Sequence, residues 1–275
     1  LANLFFFIKS GLWVWVVLFD FFVLNNELNL FKYLLIWSIC SWIAMIVSLI
    51  YLKKNLDIKN FRFYKPDYNW IVKGVRNSSV FFISSLSFLV IQFSDRFMID
   101  LFYGKKMVGV YSAYSQFVNA IDVFVFTAII MVMYPKLIKL FSNKKEYTKL
   151  FKNFKKSILV ASVLLILLGY FVSPILFGFL DKPSFITNIK TFNILLLGLF
   201  FLLMSYGYHY DLYIKKKDIL LLKISLFSMS LNIILNLYLI PNNGIFGASL
   251  ATMISFFILF LLKLIYSTRK IHDSI

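Results

Sequence analysis

Long apolar runs alternate along the chain with short polar stretches, most of them basic. Eight runs stand out, at 4–24, 30–52, 80–101, 108–133, 157–180, 191–214, 219–240 and 245–266. At about 1.5 Å per helical residue, a run of roughly 20 residues covers the ~30 Å hydrocarbon core of a bilayer. A β-barrel would show short alternating segments split by turn residues instead. The pattern predicts an all-α, polytopic membrane protein of about eight transmembrane helices.

The basic residues between the runs are unevenly shared. On alternate connections, twenty Lys and Arg fall on one side and four on the other, the four being Lys105, Lys106, Lys182 and Lys190. Such an excess marks the cytoplasmic side. It predicts a cytoplasmic C-terminus and a cytoplasmic start of the first run. The opposite connections, 25–29, 102–107, 181–190 and 241–244, are too short for an external domain. Two connections on the basic side are longer. Residues 53–79 mix Phe61, Phe63, Tyr64, Tyr68 and Trp70 with charge, as interfacial segments do, and read as a cytoplasmic linker between two helix groups. In 135–156, Tyr147, Leu150, Phe151 and Phe154, continued by Ile158, recur at helical spacing among Lys145, Lys149, Lys152, Lys155 and Lys156. That predicts a basic amphipathic cytoplasmic helix at about 144–156, lying on the inner leaflet against anionic lipid. A helix that binds a partner is the rival reading.

Composition narrows the class. The chain is 61% hydrophobic and 20% aromatic, whereas soluble domains are about 45–50% apolar. A net charge of +17 would suggest nucleic acid in a soluble protein. Here it sits between apolar runs, so orientation and lipid account for it and no nucleic-acid partner is expected. Cys40 is the single cysteine; it reads as apolar filler, and no disulfide can form within the chain. There is no paired-acid signature of a sugar transferase, no Gly-rich phosphate loop, no Cys/His metal cluster and no nucleophilic triad. His209 and His272 lie far apart. The expectation is a non-enzyme with no cofactor and no metal. The chain starts at Leu1, directly before the first run, without a charged leader or cleavage site. That predicts no signal peptide, and a longer chain that has lost its beginning.

Charge inside the runs carries the candidate chemistry. Lys9, Asp20, Lys32, Asp211, Lys223, Lys263 and His209 lie near run ends, where snorkelling to the interface would serve them. Two runs differ. Ser112, Ser115, Gln116, Asn119 and Asp122 form one polar stripe, with Asp122 about halfway along its run. Ser85, Gln92, Asp95 and Arg96 cluster on one side of the preceding run. Either Asp95, Arg96 and Asp122 form a buried structural ion network, or the two stripes line a water-filled cavity; stripes on consecutive runs favour the cavity. Ser225, Ser228, Asn232 and Asn236 mark the seventh run. Gly244, Gly247, Ala248, Ala251, Thr252 and Ser255 give the eighth a small-residue face suited to close packing.

Several stretches resemble a known family. They are Asp95-Arg96-Phe97-Met98-Ile99 followed by Val108-Gly109-Val110-Tyr111-Ser112-Ala113, then Tyr134-Pro135-Lys136-Leu137, then 239–252 with its Pro241-Asn242-Asn243-Gly244 turn. In this order they resemble the polysaccharide transporter family, the Wzx-like O-antigen flippases of the multidrug/oligosaccharidyl-lipid/polysaccharide exporter superfamily. The resemblance implies two six-helix lobes. Residues 1–52 then supply the last two helices of the N-lobe, 53–79 the interlobe linker and 80–275 a complete C-lobe, with about four helices missing in front. It implies transport of an undecaprenyl-diphosphate-linked oligosaccharide, such as an O-antigen or capsule unit used for lipopolysaccharide, across the bacterial cytoplasmic (inner) membrane by alternating access. It also implies other polysaccharide assembly proteins as partners. Arg96 is then the candidate for the diphosphate, Gln92, Ser115, Gln116 and Asn119 for sugar hydroxyls, and Asp95 and Asp122 for a coupling proton. A multidrug exporter or lipid II flippase has the same outline. A membrane polymerase or acyltransferase, and an inactive remnant, are competing readings from different classes. The short external connections speak against the polymerase.

Overall fold

The computed structural model describes residues 12–22, 30–55, 67–179 and 183–268. Lys9, the ends of the first predicted span, the connection 25–29, the linker aromatics Phe61, Phe63 and Tyr64, Lys182, and Arg269, Lys270 and His272 lie outside them. The described residues form α1 (Leu12–Phe22), α2 (Leu30–Asn55), α3 (Tyr68–Val125), a π-helical turn (Phe126–Ile130), α4 (Met131–Leu140), α5 (Lys144–Gly178), α6 (Pro183–Thr187), α7 (Ile189–Ile214) and α8 (Asp218–Thr268). Among them, five helices are long and apolar enough to cross a membrane. The protein is a multi-pass, all-helical membrane protein.

Two compact units divide the chain, Leu1–Asp67 and Tyr68–Ile275. In the first, Lys32 donates to both carboxylate oxygens of buried Asp20 at 2.6 and 2.7 Å. Asp20 thus finds its partner within the protein rather than by snorkelling. Trp15, Phe19, Trp42 and Ile50 are exposed, as lipid-facing side chains are.

The second unit holds the candidate chemistry. Glycine divides its two longest helices. Gly104 (φ 74°) folds α3 into two limbs, and Gly244 (φ 57°) does the same to α8. Both lie in the left-handed region, where a side chain is strained. The two folds meet: Tyr103 donates to the carbonyl of Pro241 at 3.0 Å, and its ring lies against Gly244. The helical fold-backs fall inside the connections 102–107 and 241–244 that the apolar pattern marks. At the other end, α3 begins at Tyr68, well before the predicted span at 80.

Half of the apolar windows of α7 and α8 are buried, against 11–17% in the other three helices. These two are the centre of the unit. One core gathers Ile99, Tyr114, Phe177, Phe192 and Leu196; another gathers Ile91, Val125, Phe154, Leu203 and Phe256. The small-residue face of α8 is buried throughout: Gly244, Gly247, Ala248, Ala251, Thr252 and Ser255. It permits close approach. A Cβ on Gly247 would collide with the carbonyl oxygen of Leu239.

The predicted amphipathic helix is not a separate element. Residues 144–178 form one helix, α5, capped by Asn143, whose side chain accepts from the Glu146 N–H. At ~1.5 Å per residue α5 is far longer than the bilayer core. Its apolar residues Tyr147, Phe154 and Ile158 are buried in the unit's second core, so protein rather than lipid covers them. Periodicity shows that a face is apolar; it does not show what covers it. Tyr147 donates to Asp211 at 2.9 Å, and Lys215 and Ser267 also donate to that carboxylate, at 2.7 and 2.6 Å. Asp211 therefore joins α5, α7 and α8 and does not snorkel. Lys223 is exposed, as expected, but Lys263 is buried.

Gly247→Ala should destabilise the detergent-solubilised full-length protein by about 1–3 kcal/mol, because a backbone oxygen stands in the way. Gly109→Ala, where a Cβ meets nothing within 4 Å, should leave the melting temperature unchanged. Thermal melts of the two variants side by side check this.

Candidate functional site

The polar stripes on the two limbs of α3 face each other because Gly104 turns the chain back. Positions 92, 95 and 96 share one face of the first limb, and 111, 115, 119 and 122 share one face of the second. Together with Leu195, Leu199 and Leu202 of α7 and Thr252 and Phe256 of α8, they line a narrow pocket of about 50 Å³. That volume holds one or a few waters. The pocket lies where the two cores meet, since Tyr111 and Leu195 belong to one and Leu199 and Phe256 to the other.

Its charges are paired. Asp95, 2% exposed, accepts a hydrogen bond of 2.5 Å from Tyr111 and lies 3.4 Å from the Arg96 guanidinium. Arg96 also donates to Ser112 Oγ at 3.3 Å and to the carbonyl of Gln92. Its guanidinium lies over Phe93 at 4.8 Å and near the Tyr111 ring at 5.8 Å. These contacts all lie within α3, and those to Tyr111 and Ser112 cross its fold. Asp122 stands apart and accepts from Tyr206 of α7 at 2.9 and 3.2 Å. A carboxylate left alone in this surrounding would be costly, and each tyrosine hydroxyl offsets part of that cost.

Six of the seven sequence candidates, Gln92, Asp95, Arg96, Ser115, Asn119 and Asp122, line this one pocket. Gln116 is exposed and does not line it. Next to Ser115 on a helix, it is turned by about 100° from that face. The Ser115 hydroxyl donates to the carbonyl of Tyr111 at 2.9 Å. The amides of Gln92 and Asn119 remain to meet a polar guest. The three-membered ion network that the sequence offered is reduced to a pair, since Asp122 is outside it: Asp95 and Arg96 are both a closed pair and part of the pocket wall.

Sequence reasoning missed Tyr111 and Tyr206, the donors to the two aspartates. A signal existed for the second. Tyr206, His209, Tyr210 and Tyr213 recur at helical spacing on α7. Among the described residues no group of three or more His, Cys, Asp or Glu side chains is placed to hold a metal ion.

Comparison with known proteins adds a family and a fold. A family model described as "Polysaccharide biosynthesis protein" matches residues 3–141. The match includes 95–113 and 134–137; the stretch 239–252 lies beyond it. A Methanocaldococcus jannaschii protein described as "Uncharacterized membrane protein MJ1068" is 27% identical over 237 residues, 82% of this chain and 46% of the relative. A solved crystal structure, of a point mutant of a MATE protein, superposes with a TM-score of 0.70 at 13% identity, covering 97% of this chain and 61% of that one. The chain thus spans about half the length of the curated relative it matches, and shares its fold with part of the solved one.

If Asp95, Tyr111 and Arg96 act as one unit, their substitutions will not add. Tyr111→Phe should cost about 1–3 kcal/mol by leaving a buried carboxylate short of a donor. In an Asp95→Asn background the same change should cost clearly less. Thermal unfolding of the two singles and the double measures the difference; equal costs in both backgrounds would contradict the coupling.

Proposed function

We propose, from the premise that this chain belongs to the polysaccharide biosynthesis protein family, that it is part of a membrane transporter, a flippase, that carries a lipid-linked oligosaccharide across the bilayer by alternating access. One observation carries this reading. Polar side chains from both limbs of α3 converge on a pocket inside an otherwise apolar helical unit. A phosphate and a sugar chain cannot cross hydrocarbon without such a path. The lipid tail needs no path, since the bilayer itself holds it.

In this reading the amides of Gln92 and Asn119 and the hydroxyl of Ser115 meet sugar hydroxyls. Asp95 and Asp122 take the coupling proton. Protonation of Asp95 removes the countercharge of Arg96, 3.4 Å away, and frees the guanidinium for an anionic group. Coupling of proton uptake to substrate capture then follows from one ion pair. The chain's lysine-rich end faces the cytoplasm of a bacterial cell, as the charge imbalance implies. Lys152 and Lys156 on the exposed part of α5 meet anionic lipid there. The two lobes and the linker of the full protein follow the division that the resemblance implies.

The test uses the full-length protein in proteoliposomes. A fluorescent undecaprenyl-diphosphate-linked oligosaccharide should become accessible on the far leaflet, and Asn119→Leu should slow this at least tenfold while the protein still reconstitutes normally. Transport of a cationic dye with no movement of the lipid-linked sugar would replace this reading with multidrug export.

A further inference from the structure

A second and larger cavity of the same unit, about 460 Å³, lies next to the pocket described above. Tyr206 lines it and donates to Asp122 in the first pocket, and Leu202 lines both, so the two share a wall. The cavity sits at the end of the unit that carries Lys215, Lys216 and Lys217, since Tyr213 and Asp218, on either side of that turn, both line it. Much of its wall is apolar, including Phe88 and Leu221.

Its chemistry is set by Lys263. This lysine is 5% exposed, and its ammonium makes one long hydrogen bond, 3.5 Å to Ser205 Oγ. The ion pairs among the described residues are Lys32–Asp20, Arg96–Asp95 and Lys215–Asp211; Lys263 is in none of them. Asp218 lines the same cavity but lies beyond ion-pair distance, with a buried oxygen that has no partner. The Nδ1 of His209, also on the wall, is buried and has no hydrogen-bond partner.

A buried lysine without a countercharge is expensive to keep charged, by several kcal/mol in protein and more in a bilayer, so an anion beside it is what holds its proton. Among the described residues nothing recovers that cost, because the Ser205 contact is weak and neutral. Arg96 is the contrasting case, with Asp95, Ser112 and two rings around it. A ligand can supply what the fold does not. The missing group is an anion. The room beside it is apolar and large enough for a head group with the first carbons of a chain. These features together describe a phosphoryl group on a hydrocarbon.

We propose that Lys263, assisted by His209, binds the phosphoryl head of a prenyl-linked lipid in this cavity. The cavity is then the entry site for the substrate of the transporter, and Lys263, rather than the neutralised Arg96, first selects for the anion. The identity of the lipid rests on the flippase reading; the anion site itself does not.

The test is binding of geranylgeranyl diphosphate to the full-length protein in phosphatidylcholine nanodiscs, with geranylgeraniol and phosphatidylglycerol as competitors. The diphosphate should bind at least tenfold more tightly than either competitor. Lys263→Met should lose at least tenfold in affinity, Lys263→Arg should stay within about threefold, and Lys263→Met should melt at an equal or higher temperature, since it removes an unpaired charge. Ser225→Phe, which fills the cavity without touching a charge, should also lose at least tenfold. Equal binding of the alcohol, full affinity in Lys263→Met or Ser225→Phe, or a lowered melting temperature or failed expression of Lys263→Met would overturn the site. Equal competition by phosphatidylglycerol would assign the cavity to bulk lipid and overturn its role in substrate entry. Diphosphate binding through Lys263 without oligosaccharide transport would leave the site standing and remove the flippase reading; transport with unchanged binding in Lys263→Met would do the reverse.

Discussion

Hydrocarbon offers no hydrogen bond, and every polar group that this chain places among apolar helices must find its partner within the protein. The second unit meets that constraint in one recurring way. Three of its aspartates each accept from a tyrosine hydroxyl: Asp95 from Tyr111, Asp122 from Tyr206 and Asp211 from Tyr147. A tyrosine suits the task, because its ring packs in an apolar core while its hydroxyl reaches the carboxylate. Each pair also ties parts of the unit together: the two limbs of α3, α3 with α7, and α5 with α7. The polar contacts that make the charges tolerable are thus the same contacts that fix the helices. Among the described residues Lys263, with one contact at 3.5 Å, and His209 Nδ1 and an Asp218 oxygen, with no hydrogen-bond partner, stand outside this pattern.

Much of this could be read in the sequence. Apolar runs long enough for a bilayer gave the class, and the polar stripe at 112, 115, 119 and 122 gave a face directed inward. Runs of lipid-facing side chains are long and nearly free of charge, so their signal survives without any knowledge of the fold. The pairings were less legible. That Tyr111 would meet Asp95, sixteen positions before it, depends on the turn at Gly104, and one glycine among ten does not announce a fold-back. Snorkelling served Lys223 and failed Asp20, Asp211 and Lys263. A charge near the end of a run satisfies that rule equally well whether it points to water or to another helix, and only the neighbouring helices decide. The same ambiguity hid the protein partner of the amphipathic face at 147–158.

The helix fold-backs at Gly104 and Gly244 have one further role. They bring Tyr103 onto the 241–244 turn, and on the same side Tyr114 of α3 donates to the carbonyl of Phe185 in α6. The end with the lysines is held differently. There the Asp211 carboxylate of α7 collects three donors, from α5, from α8 and from the turn after α7. Between these ends lie the two cavities, the narrow one walled by both limbs of α3 and the larger one by α7 and α8 with the first limb of α3. Among the described residues, one end is thus fastened through a shared carboxylate and the other through tyrosine hydroxyls on backbone carbonyls.

The pairing of Asp95 and Arg96 with Tyr111 and Ser112 also bears on how the protein reaches its membrane. Each central charge costs a lone helix about 2.5–3.5 kcal/mol on entry into the bilayer. The first limb of α3, which carries both charges, is therefore a poor candidate to partition alone. The partners that relieve Asp95 and Arg96, the Tyr111 hydroxyl as donor and Ser112 Oγ as acceptor, arrive sixteen residues later in synthesis. The two limbs are accordingly expected to enter the bilayer as one hairpin, because the turn at Gly104 keeps Tyr111 and Ser112 close behind the segment whose charges they meet.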